Sequence, residues 1–400
     1  MSFPRPRMPP KADLASLHQG QNEQWRDPAQ VASQWSEAGN VDPRLFEYQV
    51  RGGWWEALAE CGITLLVTRE YEHLIMALCS RPAGGRISYM TLPHPSGLAV
   101  DRARMVVHIA STRNPNQVFD LKPVAGLRER LDVNTTEAGN ELIPIRSRFY
   151  PGCLYFHDLA MIGGKLHANA VGENAIVQLD DDGRAHRVWW PKCIETDEGP
   201  IFQRNHIQLN SIAAGKDLAR SYFSASTCKV SRLRPGHLRF PVDQRGVIFS
   251  GATREPVAHG LTRPHSARLH RGEVWVDNSG YGQVGFVRDG RFHEVAKLPG
   301  WTRGLCLHGD VAFVGTSRVI PRFRKYAPGL DVNSSICALH AIDSRTGKVR
   351  GSLVWEHGNQ IFAIDWLSQE VTCGFPWTVS RKRPIRTKTL FYAFNMGVNR

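Results

Sequence analysis

The stretch HSARLHRGEVWVDNS, residues 265–279, decides how this chain is read. A polar residue opens it, a short run follows, the chain turns at Arg271-Gly272, and EVWVDNS returns with alternating apolar positions. That order of run, turn and run is β-hairpin chemistry. The phrase recurs as SGLAVDRARMVVHIAS from Ser96, HDLAMIGGKLHANAV from His157 and NSIAAGKDLARSYFSAS from Asn210. It returns again as RGLCLHGDVAFVGTS from Arg303 and QIFAIDWLSQEVTCGF from Gln360. Six copies run 264 residues from Ser96 to Gln360, so the five intervals average about 53. A period of that size suits one four-stranded blade with variable loops. The chain is therefore read as all-β, a six-bladed β-propeller with a short helical N-terminal segment.

Working outward, short strands such as NAIVQLD, RAHRVWW, GQVGFVR and ICALHAID fill the gaps between copies, with turns at Asp182-Gly183 and Asp289-Gly290. Residues 1–24 read as a flexible, basic, proline-rich arm and 25–60 as a helical lead-in with one or two short helices. Residues 61–400 read as the propeller. Because six inner strands start at Ser96 and β texture precedes it, ITLLVT (63–68) or HLIMALC (73–79) is expected to supply the outer strand of the last blade. That closes the ring and hides an edge. KTLFYAFN (388–395) is expected as another strand of the same blade.

Composition narrows the function classes. The eight cysteines stand singly with no CxxC pair, which argues against a zinc ribbon or a redox motif. No apolar run approaches the ~20 residues that span a bilayer, and the N-terminus lacks an apolar secretory core, so a cytoplasmic protein is expected. The net charge of +13 is spread out, without the aromatic interleaving of a nucleic-acid module. A small anionic substrate or an acidic partner is the expected ligand, and nucleic acid is disfavoured. GYGQVG from Gly280 matches a dinucleotide fingerprint by letter only, since it joins two strands and opens no helix.

The phrases HDLA, LNSIA, RPHSARLHRGEVWVDNSGYGQV, GWTRGLCLHGDVAFVGTS and WWEALAECGITLLVTREYEHL resemble an uncharacterised bacterial family known as a domain of unknown function. The resemblance covers roughly residues 50 to 370 and implies no established activity. The family's third repeat implies a histidine two residues before the asparagine; here Gln208 stands there, and His206 lies two residues further back. More distantly the repeat is similar to the propellers of gluconolactonase, regucalcin and virginiamycin lyase, which by analogy of fold implies a ligand at one end of the channel.

The residue that opens each copy is the informative one: Ser96, His157, Asn210, His265, Arg303 and Gln360. In true register these six take one place per blade around the channel axis. Polar groups at the ends of apolar strands need partners, either neighbouring blades and water or a ligand. His157, His265 and Asn210 are the candidate ligands of a divalent transition metal, with Asp158 as a carboxylate that orients a histidine. His157 and His265 can instead act as general acid or base. Arg303 is a fork for a carboxylate, sulfate or phosphate, and its alternative role is an ion pair to Asp158. Ser96, Asn210, Gln360, Asp158 and Gln208 complete the expected substrate contacts. The loop 318–330, RVIPRFRKYAPGL, reads equally as a lid or anion funnel and as a solvated loop. Two functions follow: a metal- or histidine-dependent lyase, hydrolase or oxidoreductase on a small anion, or a non-catalytic module for a peptide, glycan or protein partner.

Overall fold

The computed structural model describes residues 35–112, 116–124, 140–237 and 239–378, together with residues 16, 19 and 29. The strand expected at 388–395 and nearly all of the basic arm lie outside the described residues. Alternating apolar positions along the copies form antiparallel strands that assemble into six sheets. Blade I contains Pro95–Asp101, Val106–Ser111, Asn116–Val124 and Glu141–Tyr150. Blade II contains Phe156–Ile162, Lys165–Ala170, Ala175–Leu179 and Ala185–Trp189. Blade III contains Leu209–Ala213, Tyr222–Ala225, Gly246–Ser250 and Pro256–Leu261. Blade IV contains Pro264–His270, Glu273–Asn278, Gln283–Arg288 and Arg291–Lys297. Blade V contains Trp301–His308, Val311–Ser317, Cys337–Asp343 and Val349–Trp355, with Gln49–Gly52 added at its outer edge. The first strand of each blade lines the channel. Among the described residues no helix is long and apolar enough to cross a membrane.

Blade VI closes the ring differently from the expectation. Its inner strand, Ala363–Ser368, comes from the last copy, but the next three, Ile63–Arg69, Leu74–Arg81 and Gly84–Thr91, all come from the N-terminal side. Both candidate segments are used, and neither is an outermost strand. Trp377–Thr378 pairs beyond Gly84–Thr91. The sixth copy keeps a single long strand because TCGFPW after Ser368 breaks the alternation, so the remaining ladder has to be completed from elsewhere. Continuous antiparallel pairing from Ile63↔Ser368 to Thr68↔Ala363 welds the N-terminal strands to the last copy.

The inner strands of each blade are buried on both faces, so both sets of alternating side chains there are mostly apolar, while outer strands such as Arg291–Lys297 face solvent. In the Ile63–Arg69 strand Leu65 and Val67 pack toward blade V, while Leu66 packs toward blade I. Every junction between consecutive blades carries its own apolar cluster in this way. The helix Trp54–Cys61 buries Trp54, Ala57 and Leu58 against the blade V–VI junction. A seventh cluster, with Phe240, Trp301, Val319 and Tyr326, ties the loops above blades III to V together.

At the channel, polar side chains stitch the blades. One side chain from each blade donates to a carbonyl at the start of the next inner strand. Ser96 Oγ reaches Phe156 O at 3.0 Å, Asn169 Nδ2 reaches Leu209 O at 2.9 Å, and Asn210 Nδ2 reaches Pro264 O at 2.8 Å. Ser279 Oγ reaches Thr302 O at 2.6 Å, Ser317 Oγ reaches Ile361 O at 3.1 Å, and Thr68 Oγ1 reaches Ser96 O at 2.7 Å. All six junctions are bridged. A second set runs one residue deeper: Asp158 Oδ2 accepts from Ile212 N at 3.0 Å, Ser211 Oγ from Ala267 N at 2.7 Å, and Ser266 Oγ from Gly304 N at 2.7 Å. Where the matching residue is Gly97, a Cβ would stand 2.6 Å from Asp158 Cα, so blade I meets blade II backbone to backbone.

Thr68 sits at the weld, since its hydroxyl also accepts from Ala363 N at 3.0 Å. Thr68→Val keeps the shape and strands both buried partners, so it should lower unfolding stability by about 1–3 kcal/mol. Thr68→Ser should restore most of that loss in chemical denaturation. Equal losses in the two variants would mean that the hydroxyl is not what closes the ring.

Candidate site at the channel mouth

The residue that follows each bridged carbonyl projects into the channel mouth. In five blades these are His157, Asn210, His265, Arg303 and Phe362, while blade I offers only Gly97 after Ser96 O; the five together with Asp158, Ser211, Ser266, Arg268 and Ala363 enclose a space of about 10 Å³. That is room for about one water molecule. Four of the six residues singled out in the sequence therefore meet. The fifth, Ser96, is wholly buried and its hydroxyl is shared between Ala110 O and Phe156 O. The sixth, Gln360, falls two residues short of the ring and accepts from Tyr71 N at 3.3 Å. The aromatic Phe362 holds its place, because the bridged carbonyl of blade VI is that of Ile361.

Hydrogen bonds fix the state of each group. His265 Nδ1 lies 2.8 Å from Arg263 O and 3.0 Å from Ser279 Oγ, whose own proton goes to Thr302 O. Nδ1 of His265 therefore carries the proton and Nε2 keeps its lone pair. His157 Nε2 accepts from Arg303 Nη2 at 3.2 Å, which puts its proton on Nδ1, on the side of the Asn210 backbone. Asn210 donates into the belt through Nδ2 and leaves Oδ1 buried without a partner. Burial first, and the Arg303 charge second, hold both imidazoles well below the usual histidine range, so both are neutral near pH 7.

Two arginines dominate the charge. Arg303 lies with its guanidinium carbon 3.4 Å from the centre of the Phe362 ring. Arg263, two residues before His265 and at φ +55°, donates to Gln208 Oε1 and to Ser226 Oγ, and stacks 4.3 Å over Tyr326. Burial pushes each of them down to about 10. Among the described residues neither has a carboxylate within ion-pair distance. Asp158 is spent elsewhere: it holds Arg268 at 2.9 Å and accepts from Leu159 N and Ile212 N. It orients no histidine and does not pair with Arg303.

The mouth is roofed. In the turn Pro321–Tyr326, Phe323 and Tyr326 pack on Trp301 at ring separations of 5.8 and 6.1 Å, and Tyr71 stacks on Phe323 at 6.5 Å. The basic loop thus faces the channel with its aromatic residues. Outside it, Arg204 and Arg234 depress His206 after burial does, which marks a cationic rim beside Gln208.

The donor set does not fit a divalent metal. His157 Nε2 is already occupied by Arg303, Asn210 offers only its amide oxygen, and a dication here would face two unneutralised guanidinium groups. Among the described residues the closest group of metal-type donors lies elsewhere, where Glu37 Oε2 stands 3.8 Å from His73 Nε2 and 3.4 Å from His94 Nε2. There His73 Nδ1 accepts from His94 N at 3.2 Å, which places the neutral ring's proton on Nε2 and blocks that lone pair. No motif in the sequence joins these three residues, since they come together only through the fold.

A family match covers most of the chain, including all six blades. The model described as Domain of unknown function (DUF4915) matches residues 52–374. The chain belongs to that family. No curated protein matches it. Among solved structures it is similar to a chain of a nidogen/laminin complex, at 12% identity over 76% of this chain and 99% of that one, with a TM-score of 0.51. A gluconolactonase from Xanthomonas campestris aligns at 14% identity over 74% of this chain and 86% of that one, TM-score 0.41. A putative glucose dehydrogenase from Thermus thermophilus aligns at 14% over 70% and 93%, TM-score 0.44. At these identities the likeness concerns the fold alone.

Asp277 ends the second strand of the fourth copy beside His265, where the sequence reads either as reaching the same face as that histidine or as part of a turn. Asp277 pairs in register with His265 and is wholly buried, with Ser266 as its hydrogen-bonding neighbour. Burial raises it well above the usual carboxylate range, against the pull of Ser266, Arg268 and Arg303. A carboxyl held protonated in the fold but ionising near 3.9 in the unfolded chain contributes stability fully below about pH 3.9, and that contribution is lost as pH rises. Asp277→Asn cannot ionise, so its stability relative to the parent protein should improve between about pH 4 and pH 7. An unchanged difference in denaturation free energy would show that Asp277 ionises freely in the fold.

Proposed function

We propose that this propeller binds a small anionic ligand at the roofed end of its channel, with Arg303 and Arg263 as the fork and clamp for the anionic group. The carrying observation is the pair of buried guanidiniums without a carboxylate partner among the described residues. A buried charge without a counter-ion is costly, and a bound anion removes that cost. His157, His265 and Asn210 serve as neutral hydrogen-bonding groups around it. The unpartnered Asn210 Oδ1 matches the water or polar end that such a ligand would bring.

Binding is favoured over acid–base catalysis because both imidazoles are neutral by a wide margin near pH 7 and therefore weak bases. The enclosed space admits one water-sized group, so the rest of an organic ligand has to lie under the roof formed by Phe323 and Tyr326, and loop 318–330 lifts to admit it. The cationic rim would raise the local concentration of anions at this face.

Calorimetry with acetate, succinate, phosphate and a neutral amide analogue tests the reading. At least one anion should bind with the amide at least tenfold weaker, and Arg303→Gln or Arg263→Gln should each weaken the anion at least tenfold while thermal melting shows a folded protein. Equal affinity for the amide, or full binding by both glutamine variants, would overturn the proposal.

A further inference from the structure

The channel does not end at the ring. Below it, toward the C-terminal ends of the inner strands, lies a second and larger chamber of about 310 Å³. Its walls come from all six blades, one aliphatic side chain from each: Leu98, Leu159, Ile212, Leu269, Leu305 and Ile364. Arg268 borders both spaces and, held by Asp158, forms the partition between them. At the far rim Arg102 donates to Asp365 Oδ1 at 2.8 Å and lies 4.3 Å over Trp366, which in turn packs edge-on against His308 at 4.6 Å.

The two compartments differ in charge. Around the upper ring Arg263 and Arg303 have no carboxylate partner among the described residues. In the lower chamber each cation is matched, Arg268 by Asp158 and Arg102 by Asp365. A charged ligand would give up its hydration without finding an unbalanced counter-charge, whereas an uncharged one would lose only water contacts against aliphatic walls. The single thiol among the lining residues, Cys306, is buried, and burial raises it well above the ordinary cysteine range, which keeps it as the uncharged thiol. The volume is at the small end of ligand pockets.

We infer that this lower chamber is a second binding site, distinct from the anion site above it, for a small uncharged and largely apolar molecule. It opens on the face opposite the aromatic roof, so access to it does not depend on loop 318–330. Its walls are rigid inner strands and are formed before any ligand arrives.

Met161 lines the chamber and supplies the readout, since a methyl-labelled methionine spectrum of this seven-methionine chain can be assigned by Met161→Leu. Indole should move the Met161 methyl signal saturably, and benzoate and benzylamine should bind at least tenfold more weakly. Ala214→Phe, which fills the chamber from its half-buried edge, should weaken indole at least tenfold; Leu307→Trp serves if that variant fails to fold. Arg303→Gln should abolish anion binding above and leave the indole response in place, so the two sites can fail separately. An absent Met161 response up to the solubility of indole, or equal response to the charged analogues, or full binding in a folded filled variant, would overturn the inference.

Discussion

The fold depends on the belt of side-chain hydrogen bonds that crosses every blade junction at the start of the inner strands. Apolar clusters hold neighbouring blades together, but apolar contact has no direction and would tolerate sliding. A hydroxyl or amide that must meet one particular carbonyl does not. Ser96, Asn169, Asn210, Ser279, Ser317 and Thr68 each fix the height of one blade against the next. Because the belt is closed, the residues that follow its acceptors arrive at one level of the channel, and that is why a polar ring can exist at all.

The same belt explains the division of labour among polar residues at the mouth. Asn210 works in both systems, with its amide nitrogen in the belt and its oxygen left over for the channel. Ser96 is consumed by the belt altogether. Asp158 is consumed one layer down, where it bridges to Ile212 and pins Arg268 across the channel. With Asp158 taken, Arg303 turns to His157 and Phe362 and has no carboxylate within ion-pair distance among the described residues, although Glu70 is near enough to act on its charge. One ion pair thereby separates an upper compartment of excess positive charge from a lower one of balanced charge.

The roof adds the remaining asymmetry. A basic loop packs its aromatic side chains, Phe323 and Tyr326, onto Trp301, Tyr71 and Arg263 above the ring. Among the described residues the opposite end carries no comparable roof, and the rim contacts of Arg102, Trp366 and His308 stand beside it. The described part of the channel is thus covered on its charged side and open on its apolar side.

The sequence by itself determined the six copies, their order, the two-faced apolar strands and the polar residue that opens each of five inner strands. Those features are local: a strand, a turn and a strand within fifteen residues show their period directly. Tertiary structure alone decided the rest. The sixth register slipped by two residues because Gln360 looks like the other opening residues, while the bridged carbonyl that sets the level belongs to Ile361. Three N-terminal strands rather than one complete blade VI, because the final copy lacks the alternation to build its own. The ion pair between Asp158 and Arg268, 110 positions apart, and the contact between His157 and Arg303, 146 positions apart, leave no trace in spacing. Charge balance and protonation depend on such long-range neighbours and on burial, so the sequence located the ring and only the folded chain decided what it can hold.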